Sequence, residues 1–125
     1  MSGSLVALCA DTTSLQHPES IGLAGENLAA QDWLRIFSSA EEARRFLRTD
    51  RLVDEVWVAS SDDVAPINLA ATLKRDRSDR CVCMLSFEDT GSLKSRMSAS
   101  GIDASLTRQA LAERYARRKQ AFACP

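Results

Sequence analysis

Long apolar runs are missing from this 125-residue chain, and nothing in it approaches the ~20 consecutive apolar residues a membrane-spanning helix requires. The N-terminal run Leu5 to Ala10 has no basic segment before it and is too short for a secretory leader. A cytoplasmic protein with its four cysteines reduced is therefore expected. Histidine is almost absent: His17 stands alone, and Cys81-x-Cys83 does not have zinc-finger spacing. Neither a metal nor any other cofactor is expected, and Cys9, Cys81 and Cys83 read as small buried hydrophobes. An excess of one charge is lacking too. Sixteen Lys and Arg against 17 Asp and Glu give a net charge of −1, so no global field draws the chain to nucleic acid or to a membrane. Finally, there is no Gly-x-x-x-x-Gly-Lys-Ser/Thr loop, no Gly-x-Gly-x-x-Gly and no Gly-x-Ser-x-Gly elbow. Gly22-Leu-Ala-Gly25 is too sparse to cradle a phosphate and reads as packing, while Ser60-Ser61 has no neighbouring His base. No enzyme activity is expected.

What the sequence does hold is five short apolar runs separated by amphipathic stretches. Leu5–Cys9, Trp33–Phe37, Val53–Ala59, Cys81–Phe87 and Asp103–Leu106 read as strands. Between them, Ser20–Ala30 carries Ile21, Ala24 and Leu28 at helical spacing. Ser39 with Glu42 makes a capping box for a helix bearing Ala43, Phe46 and Leu47. Pro66 suits the first turn of a helix that buries Ile67, Ala70 and Ala71 and ends in the charged, solvated run Lys74–Arg80. Gly91–Ser98 predicts a short helix, and Leu111, Tyr115 and Phe122 line one side of a basic closing helix. Trp33 and Trp57, on strands, are expected in the core. The crossovers are long enough for parallel pairing, and continuous apolar strands suit a sheet covered on both faces. The fold expected is a three-layer α/β/α sandwich over residues 1–122, with 123–125 beginning a linker to a domain outside the chain.

In such a sheet, chemistry gathers beyond the carboxyl ends of the strands. The residues there are Asp11, Ala59 with Ser60, Ser86 and Arg108. The segments carrying them resemble the receiver domains of two-component response regulators. Gly101-Ile-Asp-Ala-Ser-Leu-Thr-Arg-Gln109 is similar to the family's Gly-Ala-Asp-Asp-Tyr-Leu-Thr-Lys-Pro, Met84-Leu85-Ser86 to the end of its fourth strand, and Asp54-Glu-Val-Trp-Val-Ala59 to its Asp-x-Val-x-x-Asp run. The resemblance implies the CheY-like, flavodoxin-type strand order 2-1-3-4-5. It also implies a degenerate phosphoacceptor pocket. Ala59 stands at the phosphorylated aspartate, Arg108 at the lysine, and Asp11 alone represents the acidic pair that holds Mg²⁺. A methyl cannot attack a phosphoryl donor, and guanidinium is a planar fork where the family uses a compact ammonium. Asp62 and Asp63 lie past the strand end, where aspartate suits a helix cap. Asp11 is placed to pair with Arg108 across the strand edges.

Receivers without the acceptor imply interaction modules. Together with Asp54–Ala59, Asp63-Val-Ala-Pro-Ile-Asn-Leu-Ala-Ala71 and Gly91-Ser-Leu-Lys-Ser-Arg96 resemble the atypical receiver preceding the ATPase domain in CpaE/TadZ-type proteins of tight-adherence pilus systems. That likeness implies a non-catalytic localisation or assembly module, with a MinD/ParA-like ATPase domain following it and pilus or polar-localisation proteins as partners. It also implies a homodimer through the family's fourth helix, fifth strand and fifth helix. From the fourth helix this face would draw on Leu93, Lys94 and Met97; from the strand, on Ile102, Asp103 and Leu106; from the last helix, on Arg114, Tyr115 and Arg118. Two other readings are a conventional receiver phosphorylated on a displaced aspartate, and a small nucleotide- or nucleic-acid-binding protein using the basic end.

Overall fold

The computed structural model describes residues 5–50, 52–59, 64–76, 79–85 and 101–123. Five parallel strands form one sheet in the order β2-β1-β3-β4-β5: β1 (Leu5–Ala10), β2 (Leu34–Phe37), β3 (Val53–Ala59), β4 (Cys81–Leu85) and β5 (Ala104–Leu106). The helices are α1 (Thr12–Gln16), α2 (Ala40–Thr49), α3 (Val64–Asp76) and α4 (Arg108–Ala123). Here α4 is the basic closing helix, and the helix expected over Gly91–Ser98 lies outside the described residues.

Side chains alternate across each strand, so one sheet feeds two cores. Val6, Leu8, Trp57, Cys83 and Leu85 face Leu111 and Tyr115 of α4, together with Ile21, Leu23, Leu28 and Trp33 from the segment after α1. Ala7, Cys9, Val56, Val58, Val82 and Met84 face Ala43 and Leu47 of α2 and Ala70 and Leu73 of α3. Being covered on both faces is why β3 and β4 read as near-continuous apolar runs rather than alternating ones. On the α4 side, Trp33 meets Trp57 edge-on with ring centroids 6.2 Å apart and Tyr115 at 5.1 Å. Contacts of this kind add about 0.5–1.5 kcal/mol each beyond the area they bury.

Local signals account for two helix starts. Ser39 accepts a hydrogen bond from Glu42 N at 3.4 Å and starts α2, as its capping pattern predicts. Thr107 Oγ1 does the same for Ala110 N at 3.0 Å at the start of α4. Two expectations change. Trp33 precedes β2 rather than opening it, and lies buried in the core. The helix expected over Ser20–Ala30 is instead two short 3₁₀ turns, Pro18–Ile21 and Leu28–Ala30, with the α-helical turn coming earlier, at Thr12–Gln16. Gly22 (φ 86°) and Gly25 (φ 78°) adopt left-handed conformations that no continuing helix allows. Gly22 is also squeezed. A Cβ there would overlap the backbone carbonyl of Arg108, so the loop rests directly on the first turn of α4.

Candidate functional site: two ends of one sheet

At the carboxyl end of the sheet, where α/β folds place their chemistry, this chain presents methyl groups. Ala10 and Ala59 are register partners on β1 and β3, and both are buried. Asp11 follows as the N-cap residue of α1, but its carboxylate accepts from Ser14 Oγ of that same helix. The pairing expected between Asp11 and Arg108 is not formed: among the described residues no ion pair joins them. Arg108 is the exposed first residue of α4, two residues past the end of β5. Ser60, Asp62, Asp63 and Ser86 lie outside the described residues.

The opposite, amino-terminal end carries the buried polar chemistry. Glu55, near the start of β3, is buried on the α4 side. Its Oε2 accepts from Trp57 Nε1 at 2.8 Å and Arg114 Nη1 at 2.6 Å, and its Oε1 accepts from Arg118 Nη2 at 2.8 Å. Burial pushes the Glu55 carboxyl up, but the Trp57 hydrogen bond and the Arg118 and Arg114 guanidinium groups outweigh it and hold the acid below its ordinary range. Cys81 stands opposite Glu55 across the β3–β4 pair, and Cys83 opposite Trp57. The Sγ atoms of the cysteines are 3.7 Å apart, and Cys83 Sγ is 3.9 Å from Glu55 Oε2. Burial, with the neighbouring Cys81, pushes the Cys83 thiol up to about 12.

On the other face of this end sits Arg80. It is 3 % exposed and donates to three backbone carbonyls, those of Val53 (2.7 Å), Leu47 (2.9 Å) and Asp50 (2.8 Å). Its guanidinium thereby caps the C-terminus of α2 and ties it to the start of β3. Lys74 donates to Arg80 O at 2.6 Å and Asp103 Oδ2 at 2.8 Å, and Val82 N donates to the same Oδ2 at 2.8 Å. Burial raises the Asp103 carboxyl, while the bonds from Lys74 and Val82 N and the Lys74 charge lower it further, to a net position below its ordinary range. Within the run Lys74–Arg80, Arg75, Asp76 and Asp79 are exposed, as its charge suggested, but both terminal residues are held by bonds within the chain.

No protein-family model matches the sequence, and no curated protein matches it in sequence. Its fold, however, matches solved structures along nearly the whole chain. A pilus assembly-related protein from Burkholderia pseudomallei superposes with a TM-score of 0.63 at 14 % identity, covering 94 % of this chain and 90 % of that one. A CheY-like response-regulator receiver from Methanospirillum hungatei gives 0.63 at 15 % identity, over 92 % and 93 %. An atypical orphan response regulator, described as regulated independently of phosphorylation, gives 0.57 at 16 %, over 88 % and 91 %. The chain has the fold of a response-regulator receiver.

On this receiver fold, the residues expected at a contact face are placed unevenly. Leu106 and Tyr115 point into the core, at 5 % and 1 % exposure, and Ile102 is buried beside α3, so none of the three offers a surface to a partner. Their apolar character, read as contact, serves packing instead. Asp103 is engaged by Lys74, and Arg114 and Arg118 by Glu55, all within the chain. Leu93, Lys94 and Met97 lie outside the described residues. What the receiver's last helix turns outward is mostly polar: Gln109, Glu113, Arg117 and Gln120 are exposed, along with Ala116 and Ala121. Glu55 and Arg80 were the residues missed by pattern reading. The one available signal was a charge interrupting an apolar strand at Glu55; Arg80 had none. Among the described residues, no helix is long and apolar enough to cross a membrane.

Proposed function

We propose that this receiver-fold domain is a non-catalytic regulatory and protein-interaction module that works without aspartyl phosphorylation. The observation that carries the reading is the Ala10–Ala59 pair: the end of β3, where a receiver needs its phosphoacceptor carboxylate, presents a buried methyl against another methyl. One half-exposed carboxylate, Asp11, already bonded to Ser14, is a poor base for a Mg²⁺ site, which draws on carboxylate and phosphate oxygens together. The likeness to a receiver described as phosphorylation-independent supports the same reading. With the switch chemistry gone, the domain acts through its surface, as a localisation or dimerisation unit of a tight-adherence pilus assembly ATPase. The structural likeness to a pilus assembly-related protein is the support for that assignment.

The test is incubation with Mg²⁺ and a small phosphodonor such as acetyl phosphate, followed by intact-mass and peptide analysis. The expected result is no phosphoryl adduct. A stable adduct on Asp11, Asp62 or Asp63 would instead make this a conventional receiver with a displaced acceptor. Sedimentation of the domain across a range of concentrations tests self-association. Charge reversal at Arg117, on the outward face of the closing helix, should weaken any dimer built on that face.

A further inference from the structure

We propose that Cys81, Cys83 and Glu55 form a binding site for a thiophilic divalent cation of the zinc type, at the amino-terminal end of the sheet. Their ligand atoms all lie within 4.8 Å of one another. The cysteines are two residues apart on β4, so both sulfurs leave the same face of the strand. Parallel register then brings Glu55 beside Cys81. A tetrahedral zinc ion, about 2.3 Å from each thiolate and about 2.1 Å from a carboxylate oxygen, requires a sulfur–sulfur edge of roughly 3.8 Å and a sulfur–oxygen edge of roughly 3.6 Å. The chain sets the sulfur–sulfur edge at 3.7 Å and the Cys83–Glu55 edge at 3.9 Å, with the Cys81–Glu55 edge within 4.8 Å. Three protein ligands leave the fourth position to water.

A disulfide is the competing use of the same pair, and the strand opposes it. Alternate residues of a strand stand about 6.6 Å apart, near the upper limit of roughly 6.8 Å for Cα atoms in a disulfide. Their Cβ bonds run side by side, whereas a disulfide draws the Cβ atoms to about 3.8 Å. An ion bridging the two sulfurs needs no such approach.

The arginines around Glu55 are compatible with the ion. As one dication enters, the two thiol protons leave, so the net charge of the cluster is unchanged. Arg114 holds the carboxylate oxygen nearest the sulfurs, but its side chain is 35 % exposed and has solvent to withdraw into. Trp57 and Arg118 keep their own bonds to Glu55 and orient it, as outer partners of a ligating carboxylate do. Cys81, half-buried, is the point of entry, whereas Cys83 has no exposed surface. Cys9 lies in the core on the other face of the sheet and takes no part.

Titration of the reduced full chain with Zn²⁺ against a chromophoric chelator, and with Cd²⁺ by its thiolate charge-transfer absorption, tests the proposal. One ion per chain with a Kd of about 1 μM or tighter is expected. Cys81→Ser and Cys83→Ser should each weaken binding by roughly a hundredfold, and Glu55→Gln by about tenfold with the absorption band retained. Cys9→Ser and Cys124→Ser should change nothing. Cys81→Ser alters a half-buried position, so it reports on binding even where Cys83→Ser disturbs the core, and circular dichroism checks both folds. Absence of stoichiometric binding by the parent chain, or binding unaltered in a folded Cys81→Ser, overturns the site. Neither result bears on phosphorylation, which concerns the other end of the sheet.

Discussion

The two ends of this sheet are built on opposite principles. At the carboxyl end, Ala10 and Ala59 meet as methyl groups, and the loop at Gly22 rests against the backbone of Arg108. At the amino end, Glu55, Arg80, Lys74, Asp103, Arg114 and Arg118 form buried or half-buried ion pairs and charge-assisted hydrogen bonds. A receiver that signals by phosphorylation needs its carboxylates at the first end. Among the described residues the buried charges, Glu55 and Arg80, sit at the second, where they and their partners join α2, α3 and α4 to the strands. The contrast teaches that buried polarity stands where it satisfies the backbone and neighbouring charges.

The sharpest way to break the comparison is Arg80→Met. Three carbonyls lose their donor and the C-terminus of α2 loses its cap, so a destabilisation of about 4 kcal/mol is expected in urea unfolding. An effect within the range of surface substitutions would mean that the amino end is dispensable. Next comes Ala59→Asp, which restores the receiver carboxylate in a fully buried position. It should cost about 3 kcal/mol at neutral pH. Burial raises such a carboxyl, so the folded state takes up the proton first, and the penalty should shrink as pH falls.

Gly22→Ala should destabilise by about 2 kcal/mol, because the left-handed backbone and the Arg108 carbonyl both resist a Cβ. Gly25→Ala, equally left-handed but facing open space, should cost only about 1 kcal/mol in parallel melts. Glu55→Gln should cost about 1.5 kcal/mol at neutral pH, between the two glycine variants. Its pH signature is opposite to that of Ala59→Asp. The folded carboxyl of Glu55 is held below its ordinary value of 4.5, so the unfolded state takes up the proton first. The Glu55 contribution is complete above about pH 5 and is lost as pH falls through the folded value. The variant should therefore show a shallower acid limb than the parent, with Asp103 supplying the remainder. Identical limbs would remove Glu55 from the comparison.

Much of this was readable without coordinates. Val53–Ala59 is a strand with the predicted ends, Ala59 is its last residue, and Ser39 caps α2. Each of these rests on neighbours in sequence. The Ser20–Ala30 helix failed because periodic apolar residues outweighed two glycines whose left-handed geometry is set by the packing of Gly22 on α4. Tyr115 and Leu106 were assigned to a surface because a receiver presents that helix and strand outward, yet their own side chains belong to the layer beneath.

By itself, the sequence determined the α/β class, the strand order through its resemblance to receivers, and the alanine that ends β3, because strand burial and strand-end residues are properties of short segments. Only the tertiary structure decided where the charges go. Arg80 finds carbonyls 27 to 33 residues away, and Glu55 finds Arg114 and Arg118 across 59 and 63 residues. No local pattern encodes such partners: a charge enters an interior only where the folded chain brings its counter-charge or its hydrogen bonds to meet it.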